Sequence, residues 1–212
     1  MTMRHNRFDG TPVAVGSGER FEDRMRRISA GLLRAATLRA DDNSPWFVIR
    51  VMSGREIPVN NALDDAGIEA LVPMRMGPEY RRRHRVMPAR LIPVITGYVL
   101  VRFLESDEAF LGISGLDHVI GVLGGYLNPQ RVSHFEVNRF KALAEQGALD
   151  WERQTVVFRV GETVRVKDGP FAAFTGRIVS CRADGKGDAV VELTVFGGLT
   201  PVLTPLAIIE RV

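Results

Sequence analysis

The chain has 212 residues with a hydrophobic content of 45% and a net charge of +3, which allows one large or two small soluble domains and is compatible with a nucleic-acid partner. Its single cysteine, Cys181, excludes an internal disulfide and a cluster of thiolate metal ligands. No apolar run approaches the ~18 residues of a membrane-spanning helix, and Arg4 and Arg7 are not followed by the apolar core of a signal peptide, so we expect a cytoplasmic protein that does not bind a membrane.

The N-terminal extension, residues 1–44, is predicted to contain one helix. Its first part, Met1 to Ser17, is polar and contains glycine, which is typical of disorder. From Gly18 to Ala40, apolar residues recur at helical spacing between arginines, which predicts a basic amphipathic helix. Either this helix packs on the next domain or on a second copy, which an apolar stripe favours, or it contacts nucleic acid or a partner. The apolar positions are Phe21, Met25, Ile28, Leu32, Ala35 and Leu38.

Residues 45–146 are predicted to form an α+β layer, in which helices cover a small sheet. The segment from Trp46 to Met52 is apolar almost throughout, which is typical of a strand buried on both faces. Ser133 and Glu136 have the spacing of a capping box, in which each residue satisfies a free amide at the start of a helix. The other predicted strands are Ile68 to Pro73, one within Leu91 to Leu104 that is centred on Gly97 to Phe103, and Val119 to Leu123, and the other predicted helices end at Gly67 and Leu116.

The densest charge run of the chain is Tyr80 to Arg85, with Arg90 just beyond it. Pro78 and Pro88 bracket this run, which predicts a protruding loop or hairpin tip. The arginines either form a solvated loop or contact nucleic-acid phosphates; we favour phosphate contacts, which would hold position rather than read bases. The candidate phosphate-contacting residues are Arg81, Arg82, Arg83, Arg85 and Arg90.

Residues 147–157 are predicted to be a linker, and Trp151 within it is large enough to rest on one of the domains. The remaining residues, 158–212, contain five short predicted strands separated by turn signals such as Asp168-Gly169-Pro170. This pattern predicts a small closed or nearly closed β-barrel. We expect the linker to act as a flexible tether for that barrel.

No segment of the sequence has the pattern of a catalytic or cofactor-binding site. The four histidines are scattered without metal-ligand spacing, and the sequence contains neither a phosphate-binding glycine loop with its lysine nor a serine elbow. The adjacent Asp64 and Asp65 fit an exposed helix surface better than an acid–base pair. We therefore predict a protein that is not an enzyme and that holds no metal and no cofactor.

The C-terminal sequence carries the residues of a KOW motif, a motif that ribosomal proteins share. Its continuation, Phe196-Gly197-x-x-Thr200-Pro201-Val202, is narrower and is similar to the C-terminal domain of NusG, a family of bacterial transcription elongation factors. The residues that match the motif are Val164, Val166, Gly169, Pro170, Phe171, Phe174, Gly176 and Ile178.

The N-terminal sequence resembles the same family. The matching segments are the strand led by Trp46, Ser53-Gly54-x-Glu56, Gly67-Ile68, Gly97 to Val101 and Val119 to Gly125. The two resemblances together cover about Pro45 to Val212 in the domain order of the family. They imply a NusG N-terminal (NGN) domain followed by a five-stranded SH3-like KOW barrel.

The resemblance implies that the N-terminal domain binds RNA polymerase. In the family, a hydrophobic depression grips a coiled-coil element of the polymerase that is called the clamp helices; the alternative is that the matching residues are plain core. The family usually has two aromatic residues and a proline before its Gly-Tyr, whereas this chain has Val94-Ile95-Thr96, which implies a shallower or differently tuned groove. The candidate polymerase-binding residues are Trp46, Val94, Ile95, Tyr98 and Leu100.

The resemblance also implies roles for the basic run and the barrel. In the family, the region that corresponds to the basic run lies close to upstream DNA, so upstream or non-template DNA is a candidate partner. The phenylalanine that matches Phe196 meets either the termination factor Rho or a small-subunit ribosomal protein, which makes Val195, Phe196 and Gly197 the candidate partner-binding residues. Phe171 and Phe174 are expected to belong to the barrel core.

These features predict a factor that binds RNA polymerase, promotes processive elongation and recruits Rho or a ribosome, and so acts in termination or antitermination. The basic helix, Val94-Ile95-Thr96 and Gly198, which replaces a frequent arginine, lead to the hypothesis of a specialised RfaH-like paralogue. The alternative function is that of a ribosome-associated, RNA-binding KOW adaptor, and the ordered N-terminal domain argues against it.

Overall fold

The computed structural model describes residues 20–37, 44–153 and 155–212. Residues 45–146 are called the N-terminal domain below, residues 147–157 the linker, and residues 158–212 the C-terminal domain. The predicted disordered segment, Met1 to Ser17, and the end of the predicted basic helix, Leu38 to Ala40, lie outside the described residues. In the part of the chain that is described, no helix is both long enough and apolar enough to cross a bilayer.

Helices and strands alternate irregularly along the first part of the chain, as expected for an α+β layer. The helices are α1 (Phe21–Thr37), α2 (Glu56–Asp65), α3 (Asp107–Ser114) and α4 (His134–Glu145). The strands are β1 (Trp46–Val51), β2 (Glu69–Leu71), β3 (Met74–Met76), β4 (Tyr80–Arg82), β5 (Arg85–Met87), β6 (Leu91–Pro93), β7 (Tyr98–Arg102), β8 (Val119–Val122) and β9 (Arg131–Val132).

Strand β1 lies at the centre of an antiparallel sheet with the order β2-β7-β1-β8, and β9 pairs with the start of β1. Val48 of β1 lies opposite Leu100 of β7, and Phe47 lies opposite Val101. Because side chains alternate along a strand, Trp46 and Val48 share one face of the sheet with Leu100, and Phe47 shares the other face with Val101. Both faces are buried, which confirms the interpretation of the apolar run at Trp46.

The face that carries Phe47 is covered by α2 and α3, which lie close to it in sequence. The ring of Phe47 lies 4.6 Å from that of Phe103 and 5.7 Å from that of Phe110, measured between ring centroids. Leu63 of α2 and Ile113 of α3 are fully buried in the same cluster. This face is therefore an ordinary hydrophobic core.

The predicted strand centred on Gly97 to Phe103 corresponds to β7, whereas the separate strand β6 just before it was not predicted. β6 pairs with β3 in a separate two-stranded ribbon, whereas β7 joins the central sheet. Gly97 between them has φ +85°, a conformation that glycine adopts without steric cost. The buried carboxylate of Glu56 accepts hydrogen bonds from the amides of Gly97 (2.6 Å) and Gly54 (3.1 Å), which fixes this turn.

Several local predictions are confirmed. The Ser133 side chain accepts a hydrogen bond from the Glu136 amide (3.2 Å) and the Glu136 carboxylate accepts one from the Ser133 amide (3.1 Å), which is the predicted capping box of α4. Helix α2 begins at Glu56, which places Pro58 in the first turn, where a proline is tolerated. The short strand β9 was not predicted from the sequence.

Helix α1 packs on α3, but not through the stripe that the sequence indicates. Leu33 is buried against Gly112 of α3, where an added Cβ would lie 2.8 Å from Cγ of Leu33. Phe21, Met25 and Ile28 remain exposed, at 76%, 44% and 44% of their surface. The helix therefore docks on the next domain, one of its predicted positions, but these three residues do not take part, and their contact with a second copy, nucleic acid or a partner stays a prediction.

The C-terminal domain is a five-stranded antiparallel sheet in the order β13-β12-β11-β10-β14. Residues on alternate positions, such as Val164 and Val166 of the first strand, point into one core. The hydrogen-bonded path has two ends, at β13 and β14, so the described ladder is an open rather than a closed ring. The strands are β10 (Thr163–Val166), β11 (Thr175–Cys181), β12 (Asp188–Val195), β13 (Gly198–Pro205) and β14 (Ile209–Arg211), with a 3₁₀ turn at Leu206–Ile208.

The linker is packed between the domains, which differs from the free tether expected from the sequence. The Trp151 amide donates to the Met76 carbonyl of β3 (2.9 Å), and the Gly187 amide donates to the Trp151 carbonyl (3.1 Å). Further along, the Thr155 amide donates to the carbonyl of Gly185 (2.9 Å). The linker therefore contacts the edge of one domain and a turn of the other.

Candidate functional site

The five candidate polymerase-binding residues converge on one apolar face of the N-terminal domain. Strand alternation brings Trp46, Tyr98 and Leu100 to the same side of the central sheet, and the turn before β7 adds Val94 and Ile95. Trp46 is held in place by a hydrogen bond from its indole nitrogen to Nδ1 of His134 (3.2 Å) and by the guanidinium of Arg102, 5.9 Å from its ring centroid. We call these five residues the apolar face.

The apolar face is covered in part by the C-terminal domain, which lies over Tyr98. The ring of Phe171 meets that of Tyr98 edge to face, with centroids 4.9 Å apart. Tyr98 is only 8% exposed, and the cavity that remains between Pro170 and the apolar face has a volume of about 10 Å³. Burial raises the pKa of the Tyr98 hydroxyl, and Arg50 opposes this rise. The expected open depression is therefore filled from within the chain.

Helix α4 of the N-terminal domain also contacts the C-terminal domain, beside the pair Tyr98 and Phe171. Phe140 of α4 is buried, and a Cβ added at Gly169 of the C-terminal domain would lie 3.0 Å from its ring. Arg139, on the same helix, forms an ion pair with Asp168 (2.8 Å), whose side chain is 9% exposed. One hydrophobic cluster consequently runs from the apolar face through α4 into the core of the C-terminal domain.

The candidate partner-binding residues of the C-terminal domain lie at the edge of this contact. Phe196 has φ 48° and is 45% exposed, as its position beside two glycines predicts, whereas the preceding Val195 is buried. The Phe196 ring lies over Gly124 of the N-terminal domain, where an added Cβ would be 2.7 Å from its Cζ atom. Gly197 follows in the turn between β12 and β13.

Three phenylalanines connect the two candidate sites. Phe174 lies between Phe171 and Phe196, with centroid distances of 6.4 Å and 6.2 Å. Phe171 is fully buried, in agreement with its predicted core position, but it faces Tyr98 as well as its own domain. The C-terminal domain thus covers Tyr98, whereas the N-terminal domain covers Phe196 only in part.

The basic run forms a hairpin, which is one of the two predicted shapes, a protruding loop or a hairpin tip. β4 and β5 pair only with each other, and Arg83 and His84 at the tip have φ 45° and 66°. All the candidate phosphate-contacting arginines are exposed, and within the described part of the chain none of them forms an ion pair with a carboxylate. These exposed and unpaired residues are Arg81, Arg82, Arg83, Arg85 and Arg90.

Residues 20–37, 44–153 and 155–212 contain no group of three histidine, cysteine or carboxylate side chains arranged to hold a metal ion. The free thiol of Cys181 lies 3.4 Å from the carbonyl oxygen of Phe158, and burial raises its pKa. That thiol is therefore a packed side chain rather than an activated nucleophile.

Comparison with known proteins identifies a family model and a solved structure that are similar to this chain. Residues 44–141 match the family model described as transcription termination factor nusG. In solved structures, a chain described as "Domain interaction in Thermotoga maritima NusG" is 24% identical, with a TM-score of 0.41, and the match covers 80% of this chain and 97% of that one.

Two curated relatives match over nearly their whole length. The transcription termination/antitermination protein NusG of Vibrio cholerae is 30% identical over 176 residues, covering 78% of this chain and 94% of the relative. The protein of the same name from Escherichia coli K12 is also 30% identical over 176 residues, covering 78% and 95%. The chain therefore belongs to the NusG family of transcription termination and antitermination factors.

Proposed function

We propose that this transcription factor binds RNA polymerase through the apolar face. The observation that carries the proposal is the convergence of five apolar residues, three of them from paired strands, on one side of the central sheet. A sheet surface of this kind can receive the apolar side of a helix, a frequent mode of protein recognition. Tyr98 suits such a contact because it combines a large apolar ring with one polar group. The proposed partner element is the pair of clamp helices.

Polymerase binding in this form requires the C-terminal domain to leave the apolar face. Phe171 and a polymerase helix would compete for the same surface of Tyr98. Contacts between domains of one chain resemble transient protein–protein interfaces, so separation without unfolding is physically reasonable. The closed arrangement is therefore the resting form, and the polymerase-bound form is open.

Separation would also increase the exposure of the proposed second binding site, at Val195, Phe196 and Gly197. Phe196 would lose its contact with Gly124 and become available to Rho or to a small-subunit ribosomal protein. Because the linker keeps the two domains in one molecule, this second encounter occurs at a high effective concentration, and a weak contact suffices. Recruitment through this site would place the factor in termination or antitermination.

The basic hairpin is proposed to contact upstream or non-template DNA. Its exposed arginines carry charge without a carboxylate partner in the described residues, which suits phosphate binding. Such contacts hold position rather than read sequence. Together with the grip on the polymerase, they would favour processive elongation.

The test is polymerase binding by the full chain with Tyr98→Asp. A carboxylate in the centre of an apolar contact must be desolvated, so we expect at least a tenfold loss of affinity for RNA polymerase, measured by biolayer interferometry. The matched control is Ile120→Asp, because Ile120 is an apolar residue of β8 that is already 58% exposed. Equal binding by the Tyr98→Asp variant and the control would contradict the proposal.

A further inference from the structure

One ion pair between the domains is almost completely buried. Nη2 of Arg75, on β3, lies 2.6 Å from Oδ1 and 2.7 Å from Oδ2 of Asp188, the first residue of β12. Only 2% of the Arg75 side chain and 6% of the Asp188 side chain are exposed. Nη1 of Arg75 also donates to the carbonyl of Leu149 in the linker (3.1 Å). One guanidinium thus contacts the linker and both domains.

Trp151 of the linker packs beside this ion pair. The guanidinium carbon of Arg75 lies 5.7 Å from the centroid of the Trp151 ring, within the range of a cation–π interaction. The indole also packs on Gly187, where an added Cβ would lie 2.6 Å from Cζ2 of the ring. Gly187 has φ +77°, so both its backbone and its lack of a side chain suit the position.

Burial makes this pair depend strongly on both of its members. Burial raises the pKa of the Asp188 carboxyl, and the charge and hydrogen bonds of Arg75 oppose that rise. Nε of Arg75 is buried without a hydrogen-bond partner, so even the intact pair is incompletely compensated. A buried pair of this kind adds little net stability, but the loss of one member leaves an uncompensated charge. The pair therefore specifies how the domains fit together.

We propose that Arg75, Asp188 and Trp151 form an interdomain lock that holds the C-terminal domain over the apolar face. This inference rests on the proposed function only in taking the apolar face as the polymerase-binding surface. The closure of the two domains by the lock does not depend on that function. With the lock formed, Phe171 covers Tyr98 and Phe196 lies over Gly124. A partner that binds Tyr98, or the part of Phe196 that faces Gly124, must open the lock, so it also raises the affinity of the other surface for its own partner.

The test is a double-mutant cycle in the full chain, with Arg75→Met, Asp188→Leu and both together. Nitroxide labels on cysteines introduced at the exposed Asn61 and Ser180, in a Cys181→Ser chain, report closed and open populations by pulsed electron spin resonance. Each single variant removes one member of the pair and leaves the other as an unpaired charge that is buried in the closed form. We therefore expect the closed-to-open ratio to fall roughly 100-fold in Asp188→Leu. The double variant replaces the pair by apolar side chains and should return the ratio to within about tenfold of the original.

Two results would overturn the lock. One is a distance distribution in Asp188→Leu that is narrow and unchanged from that of the chain with the intact ion pair. The other is a double variant whose open population is as large as in the single variants. Hydrogen exchange of the β11 and β12 amides, measured on the same samples, distinguishes domain opening from unfolding of the C-terminal domain. Polymerase binding then gives a separate outcome: if Asp188→Leu opens without binding polymerase more tightly, the lock stands and the proposed use of the apolar face fails.

Discussion

Both faces of the central sheet carry buried apolar side chains, yet they are covered by different kinds of neighbour. The face that carries Phe47 is covered by α2 and α3, which belong to the same domain. The face that carries Tyr98 is covered in part by Phe171, which belongs to another domain and comes much later in the chain. Low exposure alone therefore does not distinguish a permanent core from an interaction surface that its own chain occupies.

Polar contacts distinguish a permanent core from a separable interface more clearly than burial does. Buried or half-buried ion pairs surround the second face, Arg75 with Asp188 and Arg139 with Asp168. On α2, which covers the first face, the buried carboxylate of Glu56 accepts hydrogen bonds from backbone amides of the same domain. Interfaces between domains are more polar than cores, because both surfaces must remain soluble when they separate. The second face has this character of a separable interface.

The largest effect that this comparison predicts is a loss of stability in Phe47→Ala. Phe47 is fully buried and contacts two other aromatic rings, so its truncation should cost about 3–5 kcal/mol of unfolding free energy. Urea unfolding followed by circular dichroism measures this cost. Phe135→Ala is the control, since Phe135 is 73% exposed and should change stability by about 0.5 kcal/mol or less. A cost below about 1 kcal/mol for Phe47→Ala would contradict a permanent core on this face.

A smaller and different effect is expected for Ile95→Ala on the second face. Ile95 is 5% exposed and lines the small cavity beside Pro170, so truncation should weaken closure by about 2 kcal/mol. In the open form Ile95 faces water, so the unfolding of the N-terminal domain itself should change little. The Gly187 amide, which donates to Trp151, should exchange its hydrogen about 30-fold faster.

The opposite pattern would remove the distinction between the two faces. If Ile95→Ala lowers the unfolding free energy of the N-terminal domain and leaves the exchange of the Gly187 amide unchanged, the second face is a permanent core like the first. Its burial would then say nothing about polymerase binding.

Much of the local structure could be predicted because it depends on residues that are close in sequence. The apolar run at Trp46, the capping box at Ser133 and the turn signals of the C-terminal domain each specify a backbone conformation without distant partners. The exception is Gly97, which lies within an apolar run and reads as part of a strand. Only its φ of +85° and the buried Glu56 carboxylate show that it ends one ribbon and starts another strand.

The closed arrangement could not be predicted, because no local pattern encodes which distant residue covers a surface. Arg75 and Asp188 read as solvated charges, since charged residues are almost never buried unless they are paired. A weak signal was Trp151, a large residue in a predicted linker. The alternation Met74-Arg75-Met76 gave no such signal, because in the structure the charged position is the buried one. Burial of Arg75 follows from its pairing with a residue of the other domain, which the sequence alone does not reveal.

The smallest expected effect concerns the basic hairpin, which belongs to neither face. β4 and β5 pair only with each other, so Arg82→Gln should leave closure and stability unchanged. If Arg82 contacts a phosphate, its removal should reduce the slope of log affinity against log salt concentration by about 0.9, because one counterion fewer is released. Fluorescence anisotropy with duplex DNA at several salt concentrations measures this slope.

Arg177→Gln is the matched control, because Arg177 is an exposed arginine on β11 of the other domain. The two variants lose the same formal charge, so a general effect of net charge would change both slopes equally. A decrease confined to Arg82→Gln would assign phosphate contact to the hairpin, and equal slopes would leave the hairpin as a solvated loop. In either outcome the spin-label distance between Asn61 and Ser180 should not change, because the hairpin arginines make no ion pair across the domain contact within the described residues.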